Sequence, residues 1–349
     1  MSRDRQLALI VFEFGPLDRR SNHNRASSRT ARAISLRRLL AEGLMGDRLK
    51  RRLVTAFVVF CALVASSANG AEVLGKKPRH VWGGPSSVPN DQAMTKRVWA
   101  PGIDDGYVPQ GVTWADGAVY LSSYRSTDPK VGTGPCRIYK VDAETGNTLG
   151  QFDLPEDCGH AGGLASIAQG ILVASDTRRL YKIDAASAFA GHNPSTAVIA
   201  IVKLGGEVKG SFVDFDGTSL FVGSFEKDAG KAKAHFLPVS IFDTHNGKTV
   251  NEGIATRSIP IPAEAQGAAF DKDGNLWVSA SSSRFGTLYK IDSKSGVSVS
   301  SHEMVIGIED LAFDDEGRLW SVSEAGSMRW QKWSRTFPLL FRIDLGKLK

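Results

Sequence analysis

The chain has 349 residues, of which 42% are hydrophobic and 23% charged. Its 43 basic and 37 acidic residues give a formal net charge of +6. Residues 1–70 hold 13 of the basic and 5 of the acidic side chains, a net charge of +8, so the remainder has a net charge of −2. The basic character belongs to the N-terminal segment, and the rest of the chain offers no electrostatic basis for a nucleic-acid partner.

The first 70 residues divide into two segments. Residues 1–44 contain nine Arg, are rich in Ser and lack a core-like period, so we expect a disordered segment or a wrongly assigned gene start. Residues 45–70 have the pattern of a signal peptide: a basic stretch over 45–52, a 13-residue apolar region over 53–65 and small residues up to Gly70. A region of this length is too short to span a bilayer comfortably. We therefore expect cleavage after Gly70, no stable membrane span and a secreted or periplasmic protein, with a genuine extended leader or a signal anchor as the alternative.

A linker is predicted over residues 71–94, and residues 95–349 then repeat one pattern five times. Each copy contains a short apolar strand, a turn, a second strand ending in small polar residues, and a third strand ending in Asp. Short runs rich in Val, Ile, Leu, Phe, Tyr and Trp and bounded by Gly and Asp favour strands over helices. The third strands are predicted at residues 138–142, 180–184, 239–243, 288–292 and 340–344.

Four antiparallel strands that recur roughly every 45 to 55 residues predict an all-β fold, the β-propeller, because one small sheet cannot bury its own faces. The fifth copy ends at Asp344 with five residues left, too few for an outer strand. Residues 95–100 have the length and composition to supply that strand. We predict five four-stranded blades in a ring closed by this N-terminal strand, with six blades as the alternative if residues 71–95 form another sheet.

Two cysteines follow the signal-peptide segment. Cys136 opens the third strand of the first copy, and Cys158 lies just after its fourth strand. A hairpin between these two strands brings the cysteines close together, and an oxidising compartment would allow them to bond. We predict a disulfide, with two buried thiols as the alternative.

The loops that enter the first strands and those that follow the second strands are expected to open on one face of the propeller, around a central channel. The candidate ligand-binding residues on this face are Gln110, His160, Asp176, Ser211, Gln266, Arg284, Glu309, Asp310 and Glu324. A polar funnel of this composition suits a small anionic or hydroxylated ligand. The competing interpretation is structural: Gln and Ser here pair with backbone groups, and a single His between glycines belongs to a turn.

Two features depart from the repeat. Glu309 and Asp310 stand where other copies have Gln-Gly or Ser-Phe, and such departures tend to be functional. Trp330, Trp333 and Phe337 form an aromatic insertion between the second and third strands of the last copy. We expect this insertion to pack over the ring closure, with a lid or a partner-docking patch as the alternative.

The segments Phe270-Asp-x-Asp-Gly-Asn-Leu-Trp-Val and Phe313-Asp-Asp-Glu-Gly-Arg-Leu-Trp, with Pro109-Gln-Gly-Val-Thr-Trp114, resemble the propellers of the gluconolactonase and senescence-marker-protein-like superfamily and its NHL relatives. This resemblance covers roughly residues 107–344 and rests on the repeat. In those lactonases a divalent cation is held in the channel by a Glu at a first-strand entry together with Asn and Asp. Here Gln110 stands at the first entry and no Asn-Asp pair follows, so the lactonase metal motif is not matched.

Two functional hypotheses follow. The first is an exported, monomeric binding or interaction protein that holds a small ligand, a glycan or an envelope partner at the funnel face. The second is a metal-dependent hydrolase of lactonase type, in which Glu309 and Asp310, helped by Asp176 or Glu324, hold a divalent cation such as Ca²⁺. No cofactor beyond that candidate cation follows from the sequence.

Overall fold

The computed structural model describes residues 72–191 and 194–349. The predicted segments 1–44 and 45–70 lie outside the described residues. Within the described ranges, no helix combines the length and apolar character that crossing a membrane requires.

The described chain is dominated by β-strands, which begin with β1 (Val73–Leu74) and β2 (Met94–Trp99). Blade 1 consists of β3 (Tyr107–Ala115), β4 (Ala118–Arg125), β5 (Cys136–Val141) and β6 (Thr148–Asp153). Blade 2 consists of β7 (Gly163–Ala168), β8 (Ile171–Asp176), β9 (Arg179–Asp184) and β10 (Val198–Leu204). Each blade runs from an inner strand to an outer one, and every neighbouring pair among these four strands is antiparallel.

The remaining strands form three further blades. Blade 3 consists of β11 (Phe212–Phe215), β12 (Ser219–Gly223), β13 (Lys233–Pro238) and, after the two-residue β14 (Thr249–Val250), which adds to blade 2, β15 (Arg257–Pro260). Blade 4 consists of β16 (Ala265–Phe270), β17 (Leu276–Ser281), β18 (Gly286–Ile291) and β19 (Ser298–Met304). Blade 5 consists of β20 (Ile308–Phe313), β21 (Leu319–Ser323), β22 (Leu339–Ile343) and the N-terminal β2.

Helices are short and lie between strands. Three are α-helical: α1 (Ala185–Phe189), α2 (Pro194–Ala197) and α3 (Ile241–Thr244). Single 3₁₀ turns occur at Asp91–Ala93, Ile103–Asp105, Glu252–Ile254 and Leu345–Lys347.

The inner strands contact one another in the order β3, β7, β11, β16, β20 and back to β3, so the five blades form a closed ring. Five buried apolar clusters hold it together, one between each pair of adjacent blades. Tyr120 and Leu164, for example, share the cluster between blades 1 and 2. The predicted all-β propeller of five four-stranded blades is confirmed, because each sheet buries its faces only against its neighbours.

The ring closes through the N-terminal strand, as predicted. Strand β2 pairs antiparallel with β22, with Val98 opposite Leu340. The segment before it adds only β1, which pairs in parallel with β2, and no sixth sheet forms within the described residues. Pairing strands from the two ends of the propeller covers an edge that would otherwise be exposed.

One predicted strand is wrong. Residues 239–243 were expected to form the third strand of blade 3, but that strand is β13, and residues 241–244 form α3. Pro238 ends β13 because it has no amide hydrogen to continue the ladder. Ile241 and Phe242 are buried between blades 2 and 3, and a short apolar run of this kind does not distinguish a strand from a helix.

Local features of the repeat are also confirmed. Gly274 and Gly317, in the turns between first and second strands, have φ angles of 77° and 72°, which a residue without a Cβ adopts freely. Cys136, at the start of β5, forms a disulfide with Cys158, after β6, and their Cα atoms are 5.9 Å apart. The bridge joins the start of β5 to the loop that follows β6 and leads into blade 2.

Candidate functional site

The inner strands of three blades are irregular at the same position of the repeat. The ladder between inner and second strands shifts register between Pro109 and Val112 in blade 1, around Gln266 in blade 4, and between Ile308 and Leu311 in blade 5. Bulges release side chains from the regular alternation of a strand and are common beside functional sites. Four sequence-predicted residues, Gln110, Gln266, Glu309 and Asp310, lie at these irregularities.

The inner strands come very close to one another at this level. A Cβ on Gly111 would lie 2.7 Å from the carbonyl carbon of Gly163, and one on Gly267 would lie 2.2 Å from the Cα of Asp310. There is no room for side chains at these glycines, so the backbones themselves line the axis. Asp310 occupies the equivalent position in blade 5 and is fully buried.

The Asp310 carboxylate joins three blades. Its Oδ2 accepts a hydrogen bond from Val112 N of blade 1 at 3.1 Å and one from Leu164 N of blade 2 at 2.9 Å. Its Oδ1 is buried and has no hydrogen-bond partner within the described residues. Burial raises the pKa of Asp310 well above its ordinary range, the backbone amides oppose this rise, and the negative charge of Asp214 adds to it.

Two glutamates lie beside Asp310, each held by side chains from another part of the site. Gln266 Nε2 donates to Glu309 Oε1 at 3.1 Å. Glu324 Oε2 accepts from Gln110 Nε2 at 3.3 Å and from Trp330 Nε1 at 2.6 Å. Both glutamates are buried, with 2% and 8% of their surface exposed.

Burial and the charges of neighbouring carboxyls raise the pKa values of Glu309 and Glu324. The pKa of Glu309 is raised well above its usual range, first by burial, then by the charges of Glu324 and Asp310. Burial also raises the pKa of Glu324 to about 7, although the hydrogen bonds from Trp330 and Gln110 oppose the rise. Both carboxyls therefore retain a proton at higher pH than an exposed glutamate does.

Sequence reasoning missed a fourth channel carboxyl, Asp214 on β11. Its Oδ2 accepts a hydrogen bond from Phe270 N of blade 4 at 2.9 Å, and burial raises its pKa to about 7. The equivalent positions of three other copies hold Thr113, Ala269 and Ala312. The departure from the repeat that singled out Glu309 and Asp310 would have identified Asp214 as well.

The predicted residues His160 and Asp176 belong to a separate group at the edge of blade 2. His160 Nδ1 pairs with Gly132 O at 2.7 Å, and its ring stacks on Tyr124 with centroids 4.4 Å apart. Asp176 accepts from Thr177 N at 2.8 Å. Burial lowers the pKa of His160, so the ring is neutral near neutral pH. These contacts position the loop and do not link it to the carboxyl pair directly.

An arginine and an indole connect the two groups. The Arg329 guanidinium donates to the Tyr124 hydroxyl and lies over the Trp330 ring, 4.2 Å from its centroid. Trp330 in turn donates to Glu324. Burial lowers the pKa of Arg329, whose guanidinium also donates to Pro129 O at 3.2 Å. Trp330 thus lies between the Arg329 guanidinium and the Glu324 carboxyl.

The aromatic insertion after β21 covers the ring closure. Trp330 and Trp333 stack with centroids 4.7 Å apart, and Phe337 is fully buried in the cluster between blades 4 and 5. The segment before β2 holds this insertion, because Ser86 N donates to Thr336 O at 2.8 Å and His80 Nε2 lies 2.9 Å from Gly326 O. These contacts agree with packing over the closure.

The two other predicted residues lie apart from the acidic group. Ser211 Oγ accepts from Phe225 N at 2.9 Å, which is a structural contact at the end of blade 3's hairpin. Arg284 is exposed on the loop between β17 and β18.

A divalent cation at Glu309 and Asp310 requires further ligands. Among residues 72–191 and 194–349, no group of three or more His, Cys, Asp or Glu side chains is placed to hold a metal ion. One Asp310 oxygen is already committed to two amides. The donor set that the structure describes does not fit the cation of the lactonase hypothesis, since hard cations take six or more oxygen ligands.

The similarity of this chain to known proteins is confined to distant solved structures. No protein-family model and no curated protein matches the chain significantly. Among solved structures, it is similar to glutaminyl cyclase of Myxococcus xanthus, at 13% identity over 68% of this chain and 93% of that one, with a TM-score of 0.46. The PQQ-bound aldose sugar dehydrogenase of Streptomyces coelicolor has 17% identity over 68% and 77%, with a TM-score of 0.39.

A proposed gluconolactonase is a further structural neighbour, with 16% identity over 62% of this chain and 72% of that one and a TM-score of 0.34. The expected likeness to gluconolactonase-type propellers is met by this neighbour as a distant structural similarity. Likenesses of this size assign no activity, since one fold carries many functions.

Proposed function

We propose that this protein is an exported β-propeller that binds a small ligand at the mouth of its central channel, around Glu309 and Glu324. The observation that carries the proposal is that side chains from blades 1, 4 and 5 converge there and bond to one another. Gln110 and Gln266 each donate to a buried glutamate of blade 5. Convergent polar groups in an otherwise apolar scaffold are the usual construction of a binding site.

The structural interpretation, in which polar side chains pair with backbone groups, explains other polar residues on this face but not Glu309 and Glu324. Ser211 and Asp176 accept hydrogen bonds from backbone amides and so stabilise loops. Glu309 and Glu324 accept only from side chains, through one oxygen each, and their second oxygens have no hydrogen bond within the described residues. These second oxygens are not among the fully buried polar atoms that lack a partner, so they remain accessible and can accept hydrogen bonds from a ligand.

The proposed location is the periplasm or the exterior of the cell. The signal-peptide pattern over residues 45–70 supports export, and the Cys136–Cys158 disulfide suits an oxidising compartment. We further propose a monomer without a nucleic-acid partner. Fractionation of cells that express the full gene, followed by N-terminal sequencing, tests the location: a mature chain that begins at Ala71 supports it, and an uncleaved chain in the cytosol contradicts it.

Ligand binding is tested by a thermal-shift screen of small metabolites against four proteins: wild type, Glu309→Gln, Glu324→Gln and the control Glu316→Gln. Glu316 is also a glutamate of blade 5, but it lies exposed in the turn between β20 and β21. A ligand of the site is expected to raise the Tm of wild type and of the control, and to lose that effect in the two channel variants. If every stabilising compound acts equally on all four proteins, the proposed site is wrong.

A further inference from the structure

We infer a second binding site, between the outer parts of blades 2 and 3, for a small zwitterion that carries one ammonium and one carboxylate group. This site shares no residue with the channel mouth and goes beyond the proposed function. It is a cavity of about 290 Å³ whose walls come from the loop after β10, the turn Glu252–Ile254 and strands β13 and β15. A cavity of this size suits a small molecule.

One buried side chain has a polar atom that is open only to this cavity. His235 on β13 lines the cavity and is 3% exposed. Its Nδ1 pairs at 2.8 Å with the hydroxyl of Ser258, which lies opposite on strand β15. Its Nε2 has no hydrogen bond in the described chain and is not among the fully buried polar atoms without a partner. This nitrogen is therefore available to a ligand in the cavity.

His235 also departs from the repeat, at a position that is aromatic in the other four blades. The equivalent residues of the other third strands, judged by their pairing with the second strands, are Tyr139, Tyr181, Tyr289 and Phe341. An aromatic ring at this position is sufficient to pack a blade against its neighbour. The imidazole brings a hydrogen-bonding nitrogen to the same place, and such departures from a consistent repeat tend to be functional.

Charged groups of both signs line the same cavity. Lys233 lies two residues before His235 on β13, so the two side chains share one face of the strand. Glu207 and Glu252 come from the neighbouring blade 2 side. Lys233 Nζ is 3.3 Å from Glu207 Oε2, and Glu252 Oε2 accepts a hydrogen bond from Glu207 N at 3.0 Å. The ammonium has two further donors and the Glu207 carboxylate a second oxygen, so both can also bind a ligand.

A zwitterion fits this set of groups better than a ligand of one sign. An anion that binds Lys233 would meet the carboxylates of Glu207 and Glu252 in the same cavity. A cation that binds Glu207 would compete with Lys233 for it. A molecule with both groups pairs with the lysine and with a glutamate at once. A metal ion fits less well, because the described residues include no group of three His, Cys, Asp or Glu side chains placed to hold one.

The imidazole can pair with either end of such a ligand. Burial lowers the pKa of His235 although the charge of Glu207 opposes this, so the ring is neutral near neutral pH. When the Ser258 hydroxyl donates to Nδ1, Nε2 carries the hydrogen and donates to a carboxylate. When Nδ1 donates to Ser258, Nε2 accepts from an ammonium. His235 thus supplies one adaptable contact in the buried part of the cavity, while Lys233 lies exposed.

The ligand class is tested by calorimetric titration with three zwitterions that differ in the separation of their charges: L-alanine, β-alanine and γ-aminobutyrate. The counterparts of similar size are n-butyrate, n-butylammonium and n-butanol. At least one zwitterion is expected to bind wild type at least about tenfold more tightly than each counterpart, which corresponds to one additional charge-assisted hydrogen bond.

Two variants test whether the binding occurs in this cavity. His235→Phe removes the buried nitrogen and installs the side chain that blade 5 has at the equivalent Phe341. Lys233→Gln removes an ammonium from an exposed side chain, so it remains informative if the buried substitution unfolds the chain. Each variant is expected to weaken the binding of the zwitterion at least about tenfold. Circular dichroism verifies that both remain folded.

Two controls should bind the zwitterion as wild type does. Ser301→Ala changes the exposed serine that lies opposite Tyr289 in blade 4, the position that Ser258 has in blade 3. Glu309→Gln changes the channel mouth.

Several results would overturn the inference. It is wrong if none of the three zwitterions binds, or if n-butyrate or n-butylammonium binds as tightly as the best of them. It is also wrong if the affinity of the zwitterion is unchanged in the folded variants of His235 and Lys233. If instead Glu309→Gln abolishes the binding, the zwitterion occupies the channel mouth, so this second site is wrong while the proposed function stands.

Discussion

The channel carboxyl Asp214 gives the sharpest test of the electrostatics, through the substitution Asp214→Asn. Burial carries the pKa of this residue from 3.8 to about 7, with the charge of the nearby Asp216 as a smaller cause. Asn has the same shape and can still accept the hydrogen bond from Phe270 N, but it cannot ionise. The substitution therefore removes the titration and keeps the contact.

The sign of the effect follows from the proton balance. Below about pH 4 the carboxyl is protonated in both the folded and the unfolded chain, so it contributes no pH dependence. Between about pH 4 and 7 the unfolded chain ionises it while the folded chain keeps the proton, so the wild type loses stability as the pH rises. Above the folded pKa of about 7 the loss is complete and constant.

The magnitude follows from the same pKa values. One pH unit corresponds to about 1.4 kcal/mol, so a rise from 3.8 to about 7 corresponds to about 4 kcal/mol. Asp214 is only half-buried by its exposure, and water that reaches it reduces this figure, so about 2 to 4 kcal/mol is expected. Asp214→Asn should gain this stability over wild type between about pH 4 and pH 8.

The assay is urea unfolding followed by circular dichroism at several pH values, with the disulfide intact. Asp116→Asn is the control, because Asp116 lies exposed in the turn between β3 and β4 and is not among the charges that act on Asp214. The control should not show the gain in stability expected for Asp214→Asn. If Asp214→Asn and wild type keep parallel stability profiles from pH 4 to 8, the assignment of a raised pKa to Asp214 is refuted.

Three further predictions concern the scaffold. The disulfide joins residues 22 positions apart, and replacing Cys136 and Cys158 by Ser should cost about 3 kcal/mol in urea unfolding; an unchanged midpoint would contradict the bridge. Gly111→Ala places a Cβ 2.7 Å from a backbone carbon of blade 2, whereas the added Cβ of the control Gly84→Ala meets no atom within 4 Å. Gly111→Ala should therefore lower the Tm far more than the control, and equal Tm values would contradict close packing at the axis. Deleting residues 72–100 removes β2 and should cause aggregation in size-exclusion chromatography, whereas a monomer with unchanged Tm would show that β2 does not close the ring.

The sequence was sufficient for the architecture because the information is local and repeated. Strands such as Leu276–Ser281 and Leu319–Ser323 are preceded by an Asp-Gly or Glu-Gly turn, and each copy independently indicates the same hairpin. A blade cannot bury its faces alone, so five copies require a ring. The short fifth copy then identified residues 95–100 as the closing strand, and β2 occupies Met94–Trp99.

The third strand of blade 3 shows where local information ends. Residues 239–243 match the ending of the other third strands, but Pro238 stops β13 and the apolar residues that follow pack as a helical turn. Which of two adjacent apolar runs joins the sheet depends on the register with Ser219–Gly223, a contact distant in sequence.

The positions that break the repeat can be identified in the sequence, and Glu309 and Asp310 are among them. Their contacts, by contrast, follow from the folded structure. It showed that Asp310 bridges blades 1, 2 and 5, that Glu309 pairs with Gln266, and that Glu324 lies between Gln110 and Trp330. These partners are between 6 and 214 residues apart, and their pKa values depend on burial that no local pattern encodes. The repeat determines the ring, but the acidic channel arises only when five inner strands meet at one axis.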